Sequence, residues 1–144
     1  MPLARGALLL PGSMVAEIVP YSEPEPPPAM APAWLRGEMC WRRQRLPLVA
    51  MEVFLNRDPV PAPTSSTRVV VLKTLTDKLD LPFYGVLASR MPRLVPIQPA
   101  SVALAPDAPP RKRIAADVLF EGQRALIPDI EALEIGLWAV LPGV

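Results

Sequence analysis

Short apolar runs broken by turn residues, not long helical stripes, set the rhythm of this chain. Arg68-Val-Val-Val-Leu72 is rich in β-branched residues and reads as a strongly buried strand, followed by a polar turn over 74–78. Residues 79–88, with Phe83 and Tyr84, supply the return arm, and 90–95 a further short strand, edge-like because Pro92 and Pro96 cannot donate ladder bonds. Residues 114–120 and 123–127 flank Glu121-Gly122 and read as a hairpin on a tight turn. Residues 1–4 and 7–10 around Arg5-Gly6 read the same way, with a first arm so short that the natural chain is expected to begin upstream of Met1. The two segments echo one another, as turn glycine, apolar arm and proline, which suits two similar small β modules facing each other.

Helical spacing is local. Ser13 is placed to cap a short helix over 14–19, with Met14, Val15 and Ile18 as its apolar stripe. A second short helix over 128–133 closes the late hairpin, and 137–141 fits either its continuation or a strand.

One stretch differs from the rest. From Trp34 to Arg45 the chain carries Arg36, Arg42, Arg43 and Arg45 against Glu38 alone, and residues 46–54 are then almost wholly apolar, so a cationic segment leads into a buried strand. In an extended chain Cys40, Arg42 and Gln44 point one way and Met39, Trp41, Arg43 and Arg45 the other. A guanidinium is always charged and costly to bury unpaired, which places this half at a surface or interface anchored by Trp34 and Trp41.

Between these elements lie proline-rich connectors over 21–32, 59–67 and 99–113. The first, with Pro24, Pro26, Pro27, Pro28 and Pro32, has polyproline character and reads as a stiff tether between strands. The sum is eight to ten short strands with short helices, a mainly β chain of the small barrel or sandwich kind.

Composition narrows the function. The chain has 144 residues, 51% of them hydrophobic, enough for one domain. With 21 Pro and 7 Gly it stays below the level that signals disorder, so the prolines punctuate many short elements. There is no histidine, and Cys40 stands alone. Histidine acid–base chemistry, Cys/His metal sites and intramolecular disulfides are thereby removed, no cofactor is implied, and a reducing cytoplasm is the simplest compartment. Cys40 itself reads as a small buried apolar group. The carboxylate pair Glu131/Glu134 has only the spacing of any solvated helix face, so no enzyme is expected. Apolar runs such as 7–10 and 136–141 fall far short of the roughly 20 residues that span a bilayer, which leaves no membrane insertion. A net charge of +1 offers no global field for nucleic acid, and Arg111-Lys-Arg113 reads as a solvated loop.

The stretch Pro32-Ala33-Trp34-Leu35-Arg36-Gly37, then Cys40-Trp41-Arg42-Arg43, then Pro47-Leu48-Val49-Ala50-Met51 resembles, with the same spacing, a phrase of the CheW-like scaffolds: P-A-F-I-K-G, N-L-R-G and P-V-x-D-L. Cys40 stands where the family has Asn, Arg43 where it has Gly and Ala50 where it has Asp, while Arg42 keeps the family's Arg. Gly85 matches a strand glycine, and Asp129 with Leu133 a terminal Asp-x-x-x-Leu. The resemblance, over roughly residues 3–134, implies a single CheW-like domain of two intertwined five-stranded SH3-like barrels sharing a core, divided near 20–68 versus the remainder. It also implies a chemosensory adaptor that couples methyl-accepting receptors to a CheA-type histidine kinase, cytoplasmic and recruited to membrane receptor arrays. Val15, Glu17, Arg42 and Leu94 fall where such scaffolds meet receptor or kinase: Arg42 for charge-assisted hydrogen bonds, Val15 and Leu94 for apolar contact. The proline-rich character is similar to accessory members of type IV pilus chemosensory systems, which serve twitching motility. The alternative is a small β-barrel binding nucleic acid through the Arg36–Arg45 cluster and the 111–113 run.

Overall fold

The computed structural model describes residues 1–3, 6–56, 59, 61–76, 80–106 and 111–141. In chain order its elements are β1 (Val15–Pro20), β2 (Leu35–Trp41), β3 (Gln44–Val49), α1 (Met51–Asn56), β4 (Arg68–Lys73), β5 (Phe83–Ala88), β6 (Val102–Leu104), β7 (Ile114–Phe120), β8 (Gln123–Pro128) and α2 (Ile130–Val140). The strands form a five-stranded sheet, β1-β4-β5-β3-β2, and a three-stranded sheet, β6-β7-β8. The mainly β reading holds. Among the described residues no helix is long and apolar enough to cross a membrane.

β4 lies inside the larger sheet, and its run of valines reflects two cores served at once. Val69 and Val71 pack with Met39, Trp41, Leu46 and Leu48. Val70 and Leu72, on the opposite face, join a larger cluster containing Leu8, Phe54, Tyr84, Leu133 and Leu137. A strand covered on both faces has no polar side to show, so alternation disappears from its sequence. The first and last hairpins meet alongside: Leu9 donates its N–H to Leu126 O at 2.9 Å, and Leu126 donates to Ala7 O at 3.0 Å. The turn residues 4 and 5 lie outside the described residues, but the arms around them pair through Pro2 and Ala7.

The segment expected as a helix over 14–19 is instead a 3-10 turn, Gly12–Met14, running into β1. The register of β1 against β4 slips between Val15 and Glu17, with Val15 opposite Leu72, Glu17 opposite Val71 and Ile18 opposite Val70. The bulge at Ala16 puts Val15 and Ile18 on one face although they are three residues apart, which is the spacing of a helix. The single strand expected over 46–54 breaks at Ala50, whose N–H is taken by Trp34 O at 2.8 Å, and α1 follows. Residues 90–95 pair with no strand, because their prolines withhold N–H groups; the short strand of this region is β6, inside the stretch read as loop, where Val102, Ala103 and Leu104 pair with Phe120, Leu119 and Val118. The late helix begins after Asp129, whose side chain accepts from Ala132 N at 3.1 Å, and continues through Val140, which settles the ambiguity over 137–141.

The first proline-rich connector is strapped to β2. Glu25 and Glu38 exchange backbone hydrogen bonds of 2.8 and 3.0 Å, and Arg45 bonds the carboxylates of both, Glu38 at 2.6 Å. Tyr21, Pro24 and Pro27 are half-buried, at the three-residue period of a polyproline helix laid on a surface. Gly37 is required here: at φ 129°, a Cβ would stand 1.9 Å from Glu25 O.

The β2–β3 hairpin turns at Arg42 and Arg43, with φ of 48° and 63°, and Trp41 pairs with Gln44. Both turn residues sit in left-handed conformation, which disfavours side chains. Arg43→Gly is expected to raise stability by about 1 kcal/mol, since the strain relieved exceeds the added freedom of the unfolded chain. Thermal denaturation checks this; an unchanged or lower midpoint would show that Arg43 is held there by contacts worth more than the strain.

Candidate partner-docking site

The two edge strands of the five-stranded sheet are drawn together by one carboxylate. Glu17 on β1 accepts from Trp41 Nε1 at 2.9 Å and from Arg42 Nη2 at 2.8 Å, both at the end of the β2–β3 hairpin. Trp41 is buried, and its ring meets Phe83 edge-on at 4.9 Å, which fixes the indole N–H in place. The Arg42 guanidinium lies 4.6 Å from the Trp41 ring centroid while it bonds Glu17, so two contacts orient it. Its side chain is nonetheless 63% exposed, and one of a guanidinium's five N–H groups makes the Glu17 bond, so donors face solvent beside this clamp.

The Trp41 hydrogen bond, then the Arg42 bond, hold the Glu17 carboxyl below the usual carboxylate range. A pKa depressed in the folded state means that the clamp contributes stability above the unfolded value, about 4.3, and loses it as pH falls through the folded value. The indole N–H resonance of Trp41, followed by NMR, is therefore expected to hold its position from neutral pH down to about 4.3 and to move only below it. The same resonance should not titrate in Glu17→Gln. A wild-type transition well above pH 4.3 would contradict the clamp geometry.

On the other face of β1, Val15 and Ile18 line an apolar cleft of about 300 Å³ with Leu10, Val70, Pro92 and Leu94. The bulge at Ala16 is what lets one strand present Glu17 to the clamp and Val15 to the cleft. Leu94 is 90% exposed, on the segment that crosses from the larger sheet toward the smaller one, and its Cδ1 lies 3.1 Å from where a Gly12 Cβ would stand. The structure thus brings the four residues singled out from the sequence into two neighbouring pairs, Glu17 with Arg42 and Val15 with Leu94.

Other sequence readings change. Cys40, read as buried, is exposed, because it faces away from buried Met39 and Trp41 and sits opposite Arg45. Glu134 does not converge with Glu131: it is 1% exposed and accepts from Leu75 N and Thr76 N, while Glu131 is on the surface. The 111–113 run is not simply solvated. Arg111 pairs with Asp117 at 2.9 Å, and Arg113 lies 4.4 Å over the Phe54 ring and donates to Phe54 O at 3.1 Å. Sequence reasoning missed Trp41 as the second donor to Glu17, since nothing in its spacing pairs it with a residue 24 positions earlier.

Comparison with solved structures finds the crystal structure of the scaffolding protein TtCheW from Thermoanaerobacter tengcongensis, with a TM-score of 0.70 and 15% identity over 88% of this chain and 84% of that one. Such identity shows a shared fold. Comparison with curated protein sequences finds no match. The sequence itself matches the CheW-like domain over residues 2–134, from the first hairpin to the buried glutamate of α2, and the chain belongs to the CheW-like domain family.

Proposed function

We propose that the protein is a non-enzymatic chemosensory adaptor, which binds the cytoplasmic tip of a methyl-accepting receptor and couples it to a CheA-type histidine kinase. The observation that carries this reading is the convergence on β1 of an exposed, doubly oriented guanidinium and an apolar cleft, contributed by residues as far apart as Val15 and Leu94. An apolar groove seats the hydrophobic face of a helix, and an oriented arginine held at the opposite face of the same strand can fix register by charge-assisted bonds to carboxylate or carbonyl oxygens. Neither feature needs a reactive group. Membership in the CheW-like family supports the scaffold role, and the proline-rich straps support placement among the accessory scaffolds of type IV pilus systems, working in the cytoplasm beneath receptor arrays.

The nucleic-acid reading loses its charge. Arg42 is paired with Glu17 and Arg45 with Glu25 and Glu38, so two of the four cations of the 36–45 cluster are already neutralised at short range.

The test is co-sedimentation of the purified protein with a purified receptor-tip fragment and with the kinase. Wild type is expected to retain both; Val15→Asp, which puts a charge in the cleft, is expected to lose the receptor. Recovery of neither partner by the folded wild-type protein would remove the adaptor reading.

A further inference from the structure

The segment over 91–95 pairs with no strand, and its residues divide between two recesses. Pro92 and Leu94 border the apolar cleft beside β1, whereas Met91 and Val95 turn to a second recess of about 190 Å³ on the other side, between this segment, the first hairpin and the β7–β8 turn. Arg93 borders both. In the second recess it is joined by Arg90 and, from β8, by Arg124, with Phe120 at the wall. No Asp or Glu is among the described residues that line it.

Several exposed arginines elsewhere among the described residues have carboxylate partners, Arg42 with Glu17, Arg45 with Glu25 and Glu38 and Arg111 with Asp117, while Arg43 and Arg113 stand apart from one another without any. Arg90 and Arg93 make no ion pair among the described residues, and Arg124 reaches only 4.0 Å from Asp117, a carboxylate that already accepts from Arg111 at 2.9 Å. In a chain of net charge +1, gathering these cations in one concavity is local, not a consequence of overall basicity. Like charges that share a recess repel, and an anionic occupant removes that repulsion.

We propose that this recess holds a carboxylate-rich peptide segment of a protein partner. Three guanidiniums matched to carboxylates, interleaved with Met91, Val95 and Phe120, fit a segment in which acidic side chains flank an apolar one. A bilayer surface would be met by cations on a projecting face, whereas these line the walls of a concavity. The recess adjoins the Val15–Leu94 cleft, with Met1 and Arg93 lining both, so one partner element can cover both. The inference rests on the adaptor reading only for the source of that segment.

The experiment separates the two. A short fluorescein-labelled peptide in which glutamates flank a leucine, and its glutamine counterpart, are titrated into the full chain and followed by anisotropy at low salt. The glutamate peptide is expected to bind and the glutamine peptide not, with affinity falling as salt rises toward about 0.5 M. Arg93→Glu/Arg124→Glu, both exposed positions, is expected to weaken binding at least about tenfold. Lys73→Glu/Lys112→Glu carries the same charge change away from the recess and should stay within about twofold. Equal loss in both double variants, no loss in the first, or equal binding of the glutamine peptide would overturn the proposal. So would binding of the chain to phosphatidylglycerol vesicles, lost in Arg93→Glu/Arg124→Glu, with no binding of either peptide. Peptide binding that behaves as expected in a protein that retains neither receptor nor kinase would leave this recess standing and remove the adaptor reading alone.

Discussion

Glu134→Ala is expected to destabilise the protein by about 3 kcal/mol, lowering its thermal midpoint by about 10 °C. The carboxylate is buried on α2 and accepts four donations: from Leu75 N at 3.1 and 3.0 Å, from Thr76 N at 2.8 Å and from the Tyr84 hydroxyl at 3.1 Å. It ties the last helix to the connection between β4 and β5, across nearly 60 residues of sequence. Burial first, and the neighbouring carboxylate second, push the Tyr84 phenol far above its ordinary value, so this hydroxyl keeps its proton and remains a donor. Truncation at 134 leaves the buried Tyr84 hydroxyl and the part-buried Leu75 and Thr76 N–H groups without this acceptor, and the desolvation penalty of a stranded group outweighs the modest net worth of the bonds themselves. Tyr84→Phe removes one donor and leaves the acceptor satisfied, so it should lower stability by only about 1 kcal/mol. Chemical denaturation of the single variants and their combination checks the coupling: the double variant should lose less than the sum, because the phenol no longer needs a partner. A Glu134→Ala protein as stable as wild type would mean that the 74–76 connection finds other acceptors.

That residue also marks how far the sequence could be read. Residue 134 reads from the sequence as a solvated helix position because Glu is almost never fully buried, and the partners that satisfy it, Leu75, Thr76 and Tyr84, lie 50 to 59 residues earlier in the chain. Local turn chemistry was legible: Glu121-Gly122 at the tip of a hairpin, and Asp129 before an apolar helix, are short-range signals and both elements formed. The breaks and bulges were not. At Ala16 an inserted residue gave Val15 and Ile18 a helical spacing inside a strand, and at Ala50 an almost wholly apolar run concealed the change from β3 to α1, since a buried strand and a buried helix both show few polar positions. β6 was hidden for another reason: Val102, Ala103 and Leu104 form too short an edge to show a pattern, and only β7 holds them in register.

The candidate docking residues divide in the same way. Arg42 could be placed outward from charge alone, because a guanidinium without an adjacent acid does not go inside. What orients it, the indole beneath and the Glu17 carboxylate across the gap between edge strands, depends on a closure that joins positions 25 residues apart. Val15 and Leu94 carry no sign in their own neighbourhoods that they border one cleft.

Arg42→Ala is expected to weaken binding to the receptor tip about a hundredfold, near 2.7 kcal/mol, with little change in stability. Surface ion pairs contribute little to folding, and in this one the Arg42 side chain is 63% exposed, so that side chain's chief use must lie elsewhere if it has one. Two further variants separate contact from positioning. Arg42→Lys keeps the charge and loses the planar fork and its stacking on Trp41, and should fall between alanine and wild type. Glu17→Gln keeps an acceptor for Trp41 and Arg42 and leaves Arg42 without a charged neighbour; if the guanidinium itself meets the receptor, binding should weaken only a few-fold or even improve. Were the clamp needed only to hold β1 against the hairpin, Glu17→Gln and Arg42→Ala would cost the same, and binding would track the loss of hairpin order instead of the identity of residue 42. Calorimetric titration of each purified variant with the receptor-tip fragment distinguishes the cases. A wild-type affinity in Arg42→Ala would strip the clamp of any part in docking and leave the Val15–Leu94 cleft to carry recognition alone.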